Sequence, residues 1–358
     1  MRTLLRAMAM AVVVSWMFVG SAQETPAVTQ GDYVAHDFHF RSGEQLSELK
    51  LHYRTLGAPH RDAQGRVDNA VLILHGTGGT GAQFLAPYFA GVLFRPGQLL
   101  DATKYYIVLP DDIGHGGSSK PSDRMHAHFP HYDYDDMVAA EHLLVTDALH
   151  VDHLRLVMGT SMGCMHSWVW GETYPGFADA LMPLACLPVQ IAGRNRMMRK
   201  MAMDAITDDP AWNHGDYTAQ PPGMRTSIEM LLIMGSSPLQ MQEQYPTQEQ
   251  ADAYLKSFLE SHSKTTDAND FLYQFNSSRN YDPSANLEKI QVPVMAVNSA
   301  DDFINPPELD IMPKMIQRVP KGKFVLLPIT EETRGHGTHT RAAIWQQYLA
   351  ELLQESAH

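Results

Sequence analysis

Gly159-Thr160-Ser161-Met162-Gly163 sets a serine between two glycines, each two residues away. A serine on a sharp strand-to-helix turn is held in a strained backbone conformation, so those flanking positions must be small. Such a turn lifts the hydroxyl clear of the sheet and points the next helix's N-terminus at negative charge developing on a substrate. The context agrees, because an apolar run from His153 to Met158 leads in and Met165 to Tyr174 continues as a helical pattern. The serine becomes a nucleophile only with a base, and the base needs an acid to orient it. Gly335-His336-Gly337-Thr338-His339 offers an imidazole on a glycine-flanked loop ahead of the last helix, so His336 is the candidate base. His339 reads as a residue that caps or packs on that helix. The run Ser299-Ala300-Asp301-Asp302-Phe303-Ile304-Asn305-Pro306 follows an apolar strand. An acid at a strand end with a proline four residues later selects Asp302, with Asp301 as the alternative. His75-Gly76-Thr77-Gly78-Gly79 comes directly after another apolar run and would supply a backbone N–H from Thr77, with Met162 giving a second, as an oxyanion hole. No Gly-Lys-Ser/Thr follows those glycines, which makes a phosphate loop a poor reading. The chemistry implied is attack on an acyl group through a covalent acyl-serine.

These residues must be positioned by something, and the chain's periodicity says what. Short apolar runs at Ala70–Leu74, Tyr105–Leu109, His153–Met158, Ala180–Ala185, Val292–Asn298 and Lys323–Pro328 alternate with helical patterns at Gln83–Leu93, Tyr134–Leu149, Gly163–Tyr174 and Arg341–Gln354. That alternation predicts an α/β fold with a mostly parallel sheet flanked by helices. Leu49–Arg54 alternates in side-chain character and reads as an antiparallel lead-in strand. From residue 188 to 283 the alternation stops, giving a stretch rich in Met, Gln, Asp and Ser with breaks at Pro210, Pro221-Pro222 and Pro238. It is too long for a loop and predicts an inserted helical lid over the edge of the sheet where α/β proteins bind ligands. The core is then residues 23–187 and 284–358. Met197, Met198, Met201 and Met203 read as an apolar face of the insertion.

The first 22 residues read as a cleaved signal peptide, with Arg2 and Arg6, an uncharged run from Ala7 to Val19, and small residues before Gln23. A periplasmic or secreted enzyme without a stable membrane anchor is expected. Forty acidic against 27 basic residues, a net charge of −13, argue against nucleic acid and anionic membranes as partners. The expected partner is a small-molecule substrate, and a homodimer is compatible with the sequence. Two cysteines, Cys164 and Cys186, are read as buried free thiols, the commoner state of isolated cysteines, with a single disulfide as the alternative in an oxidising compartment. His126, His128 and His131 share one loop, but their spacing does not match a structural zinc pattern. Neither a metal nor a cofactor is expected. The Asp111-Asp112-Ile113-Gly114-His115-Gly116 turn reads as structural.

With these motifs in place, the chain resembles the homoserine O-acetyltransferase-like branch of the α/β-hydrolase superfamily. The similarity is carried by Leu51-His52-Tyr53-Arg54-Thr55-Leu56-Gly57, Asp136-Met137-Val138, Gly159 to Met165, Asp209-Pro210-Ala211-Trp212-Asn213-His214-Gly215-Asp216-Tyr217 and Asp302 with Pro306-Pro307. The resemblance implies a triad of the matching serine, aspartate and histidine. The departures concern substrate. Homoserine acetyltransferases carry an Asp after the catalytic His for the substrate's amino group, where this chain has Gly337. They carry an Arg and a Tyr at the start of the lid, where alignment puts Ile228 and Gly235. Loss of these partners implies a serine hydrolase of esters, thioesters or lactones, acting on an uncharged or partly apolar substrate. An O-acyltransferase of the homoserine acetyltransferase type is the alternative. A catalytically silent binding protein on the same fold is the third reading.

Overall fold

The computed structural model describes residues 27–357, and the segment read as a signal peptide lies outside the described residues. Eight strands form one sheet in the order β1-β2-β4-β3-β5-β6-β7-β8. They are β1 (Val28–His39), β2 (Gln45–Leu56), β3 (Ala70–Leu74), β4 (Tyr106–Pro110), β5 (Leu156–Thr160), β6 (Leu181–Leu184), β7 (Val294–Ser299) and β8 (Gly322–Leu327). β1 pairs antiparallel with β2, and β2 antiparallel with β4, while all later pairings are parallel. The central strands β3 to β7 are buried at every position, which is why their sequences are continuous apolar runs.

The helices are α1 (Ala90–Leu93), α2 (Tyr134–Leu143), α3 (Met162–Thr173), α4 (Gly193–Thr207), α5 (Met224–Gly235), α6 (Pro238–Gln244), α7 (Gln248–His262), α8 (Ala268–Asn276), α9 (Met312–Met315) and α10 (Ala342–Glu355). One face of the sheet packs α2 and α3 through Met137, Val138 and Trp168. The other packs α1 and α10 through Leu93, Trp345 and Leu349. Among the described residues no helix is long and apolar enough to cross a membrane.

Several expectations are corrected. The helix expected over Gln83–Leu93 is a 3₁₀ turn at Gly81–Leu85 followed by the short α1. Ala86 between them is extended, as a residue before proline prefers. α2 ends at Leu143, and Leu144–Ala148 continue as a π turn. β1 was not expected at all. Its burial follows no clean alternation, and Asp37 adopts φ 50°, interrupting the pairing between His36↔Glu48 and Phe38↔Leu46.

The cysteines are joined. Cys164 lies in the first turn of α3 and Cys186 just beyond β6, their Cα atoms 5.9 Å apart, and they form a disulfide. The free-thiol expectation fails because β5 and β6 are neighbours, so the residues following each are brought within bridging distance. Closing a loop of about 20 residues is worth roughly 3 kcal/mol by chain entropy.

The insertion between β6 and β7 is helical, α4 to α8, with its own core of Met198, Ala202, Ile206, Ile228, Phe271 and Phe275. Of the four methionines expected on one apolar face, Met198 and Met203 are buried while Met197 and Met201 are exposed. Residues 197 and 201 are one helical turn apart and share the outward side.

Candidate active site

Ser161 sits between β5 and α3 with φ 56° and ψ −106°, a conformation side chains avoid. Backbone bonds hold it there. Its N–H donates to the Leu184 carbonyl at 2.9 Å, and the Gly163 N–H donates to the His75 carbonyl at 2.9 Å. The flanking glycines are steric necessities, because a Cβ on Gly159 would run into the Gly163 carbonyl and one on Gly163 into that of Leu74.

His336 reaches this turn from the loop after β8. Its Nε2 is 2.8 Å from Ser161 Oγ and its Nδ1 2.9 Å from Asp302 Oδ2. With Nδ1–H donating to the carboxylate, Nε2 is free to accept the serine proton. Asp302 lies beyond the end of β7, buried, and Oδ1 accepts the N–H groups of Ile304 at 2.8 Å and Asn305 at 3.2 Å. Asn305 Nδ2 donates to Oδ2 at 3.0 Å. Burial alone would raise its pKa, but the His336 charge and the bonds from His336, Asn305 and Ile304 outweigh it and hold the carboxyl below its usual range. Asp301 faces elsewhere, accepting from Ser299 Oγ and from the Gly335 N–H at 2.9 Å. His339 is half-buried against His336, ring centroids 5.0 Å apart. Burial, followed by the His336 charge, lowers its pKa to about 3.

Thr77 follows β3 and Met162 opens α3. Neither backbone N–H donates to an acceptor among the described residues, as an oxyanion hole requires of its donors. Beneath this loop lies a group that sequence reasoning missed. Asp112, Glu141 and His166 are buried with ligand-type atoms within 4.8 Å of one another. His166 Nδ1 is 2.7 Å from Glu141 Oε1, and Trp170 Nε1–H donates to Oε2 at 2.5 Å. The Asp112 N–H donates to His75 Nε2 at 3.0 Å, and His75 Nδ1–H donates to the Gly76 carbonyl at 2.8 Å, so the group braces the loop carrying Thr77. Burial and the Glu141 charge push Asp112 well above the carboxylate range. Burial also pushes Glu141 up to about 7, against hydrogen bonds with Asp112 and Trp170, and burial lowers His166. A carboxyl pair that retains a proton beside a neutral imidazole accounts for two acids in dry surroundings. These residues are far apart in sequence and carry no local motif. The loop histidines 126, 128 and 131 do not converge; His131 stacks on Tyr273 and meets Glu44 at 3.3 Å.

A stability prediction follows. Glu141 binds a proton up to about pH 7 when folded but only near its ordinary value of 4.5 when unfolded. Its contribution is therefore full at low pH and lost as pH rises through that window. Glu141→Gln keeps a donor for His166 and an acceptor for Trp170 without the titration. The Tm of this variant relative to wild type should rise between pH 4.5 and about 7 and level off above. A flat or falling difference would refute the assignment.

Ser161, Asp302 and His336 open onto a cavity of about 690 Å³ between the sheet edge and the helical insertion, walled by Leu187, Val189, Ile191, Leu239, Phe303 and Ile304 among others. Ile228 does not line it but sits in the insertion's own core, and neither Gly235 nor Gly337 contributes to the wall. Gly335 adopts φ 59° and lies against the backbone of Ser236, placing the His336 loop against the insertion.

The alpha/beta hydrolase fold family matches this chain over residues 69–336. By sequence the chain is similar to a probable acyltransferase of Methanothermobacter thermautotrophicus, 29% identical over 292 residues, covering 81% of this chain and 88% of that protein. It is similar also to a homoserine O-acetyltransferase of Methanohalophilus mahii, 26% identical over 313 residues, covering 78% of this chain and 62% of that one. Among solved structures, an acetylester hydrolase from Corynebacterium glutamicum matches with a TM-score of 0.79 at 19% identity, covering 91% of this chain and 96% of that chain. At that identity the likeness speaks for the fold alone. With a parallel sheet, a serine on the turn after β5 and a family match across both, the chain belongs to the α/β-hydrolase family, in its homoserine O-acetyltransferase-like branch.

Proposed function

We propose that this protein is a serine hydrolase of ester-type small molecules, whether esters, thioesters or lactones. The observation that carries the reading is the continuous Asp302–His336–Ser161 hydrogen-bond chain at the wall of the cavity. In this reading Ser161 Oγ attacks the acyl carbon as His336 Nε2 takes its proton. The N–H groups of Thr77 and Met162 stabilise the oxyanion. His336 then protonates the leaving group, which departs and leaves an acyl-serine. Water, deprotonated by the same imidazole, releases the acid and restores the serine. Asp302 fixes the imidazole's tautomer and balances its charge in the transition state.

The second reading is O-acyl transfer, in which an alcohol replaces water at the last step. The acyltransferase names of the sequence relatives favour it. Gly337 argues against homoserine as that alcohol, because an aspartate beside the base would hold its ammonium. A periplasmic or secreted location is part of the proposal, supported by the Cys164–Cys186 disulfide and the basic and apolar residues at the start of the chain. It would separate the enzyme from cytosolic acyl-CoA.

The test offers the purified protein 4-nitrophenyl acetate with and without competing alcohols, and separately homoserine with acetyl-CoA. Ester hydrolysis with no detectable O-acetylhomoserine is expected, a specificity deficit of at least ~10²-fold. Acetylation of homoserine faster than ester hydrolysis would restore the biosynthetic reading.

A further inference from the structure

Arg199 in α4 is 4% exposed and lines the same cavity as Ser161 and His336. A buried guanidinium is costly unless an anion accompanies it, yet no carboxylate pairs with this one among the described residues. Nε donates to Asn195 Oδ1 at 3.0 Å and Nη1 to Ser278 Oγ at 3.3 Å, both neutral acceptors. The charged or titratable groups that act on it are Tyr134 and a second cation, Arg196. Of the acids that line the cavity, Asp302 is engaged with His336 and Asp301 with Ser299 and Gly335, while Glu308 is exposed and forms no ion pair with Arg199 among the described residues. The Tyr134 hydroxyl is buried in the same polar corner, where it interacts with Arg199, Ser278 and Thr77, all of them groups without a negative charge. Thr77 is in the loop assigned to the oxyanion hole, so this corner lies close to the reacting centre.

We propose that Arg199 binds a carboxylate carried by the substrate, so that the protein acts on esters bearing a free acid group. The inference rests on the hydrolase reading and replaces the expectation of an uncharged substrate. A guanidinium offers a planar fork of N–H donors that fits a carboxylate. The apolar remainder of the wall would hold the carbon skeleton between the acid and the ester. The acid can belong to the acyl part or to the alcohol part, and two matched pairs of probes separate these cases. Mono(4-nitrophenyl) glutarate against its methyl ester tests the acyl side, with uncatalysed rates subtracted. 4-Carboxyphenyl acetate against 4-carbamoylphenyl acetate tests the alcohol side.

In at least one pair the acid should be preferred in kcat/KM by about tenfold or more, the value of a charge-assisted hydrogen bond. Arg199→Gln should remove that preference, and Arg199→Lys should leave part of it, keeping charge but losing the fork. Preference for the neutral member of both pairs would overturn the proposal, as would an unchanged ratio in a folded Arg199→Gln protein. Labelling of Ser161 by a fluorophosphonate reports whether that variant is folded; if it is not, the wild-type ratios and Arg199→Lys decide. Binding of the acetate pair to Ser161→Ala needs no turnover and separates the two claims. Tighter binding of the acid without wild-type turnover would overturn only the hydrolase reading, whereas equal binding together with neutral-preferring turnover would overturn only the carboxylate site.

Discussion

Ser161→Ala is expected to lose ~10³-fold or more of ester turnover while remaining folded. The reasoning is local. The strained φ of 56° at residue 161 is maintained by backbone bonds to Leu184 and His75, none of which involves the hydroxyl. Its Oγ has His336 Nε2 at 2.8 Å, a contact that alanine removes without opening a cavity. Circular dichroism and Tm should therefore stay close to wild type while covalent labelling by a fluorophosphonate disappears. Residual catalysis over water would come from the Thr77 and Met162 N–H groups, which alanine leaves in place. Near-normal turnover of 4-nitrophenyl acetate in this variant would show that the nucleophile lies elsewhere.

Asp302→Asn should be comparably damaging, about 10⁴-fold in kcat, because an amide in place of the carboxylate favours the wrong imidazole tautomer. The structure makes this a sharp comparison with the adjacent acid. Asp302 meets His336 at 2.9 Å and is held below the ordinary carboxylate pKa, so it stays ionised wherever the enzyme works. Asp301 braces the Gly335 N–H instead, so Asp301→Asn should change activity far less and act through the position of the His336 loop. Kinetics of the two variants on one ester suffice. Equal losses, or a larger loss at Asp301, would move the orienting role to the neighbouring residue.

Much of the fold was legible because the central strands are buried on both faces and therefore read as unbroken apolar runs. Ala70–Leu74 has the same bounds in sequence and structure, and β7 differs from its expected range only at the ends. β1 was not legible, because an edge strand can carry polar residues on both sides and its pairing is interrupted at Asp37. The same logic divides the site. Candidate roles for Ser161 and His336 came from local turn chemistry, where small neighbours and a strand-to-helix transition leave a mark within a few residues. Asp112, Glu141 and His166 left no such mark, since each lies on a different element.

By itself, then, the sequence determined the sheet's parallel core, the helical insertion and the local turns that carry Ser161 and His336, because backbone sterics and apolar periodicity act over short distances. The tertiary structure decided which of two adjacent aspartates faces His336, a matter of side-chain direction after β7 that adjacency in sequence cannot resolve. It decided that Cys164 and Cys186 meet, because β5 and β6 lie side by side. It also decided that Arg199 is buried beside the cavity without an acid to neutralise it. In sequence Arg199 is one of several basic residues on an amphipathic helix, and burial and pairing are properties of the packed chain, set by what the other elements bring against it.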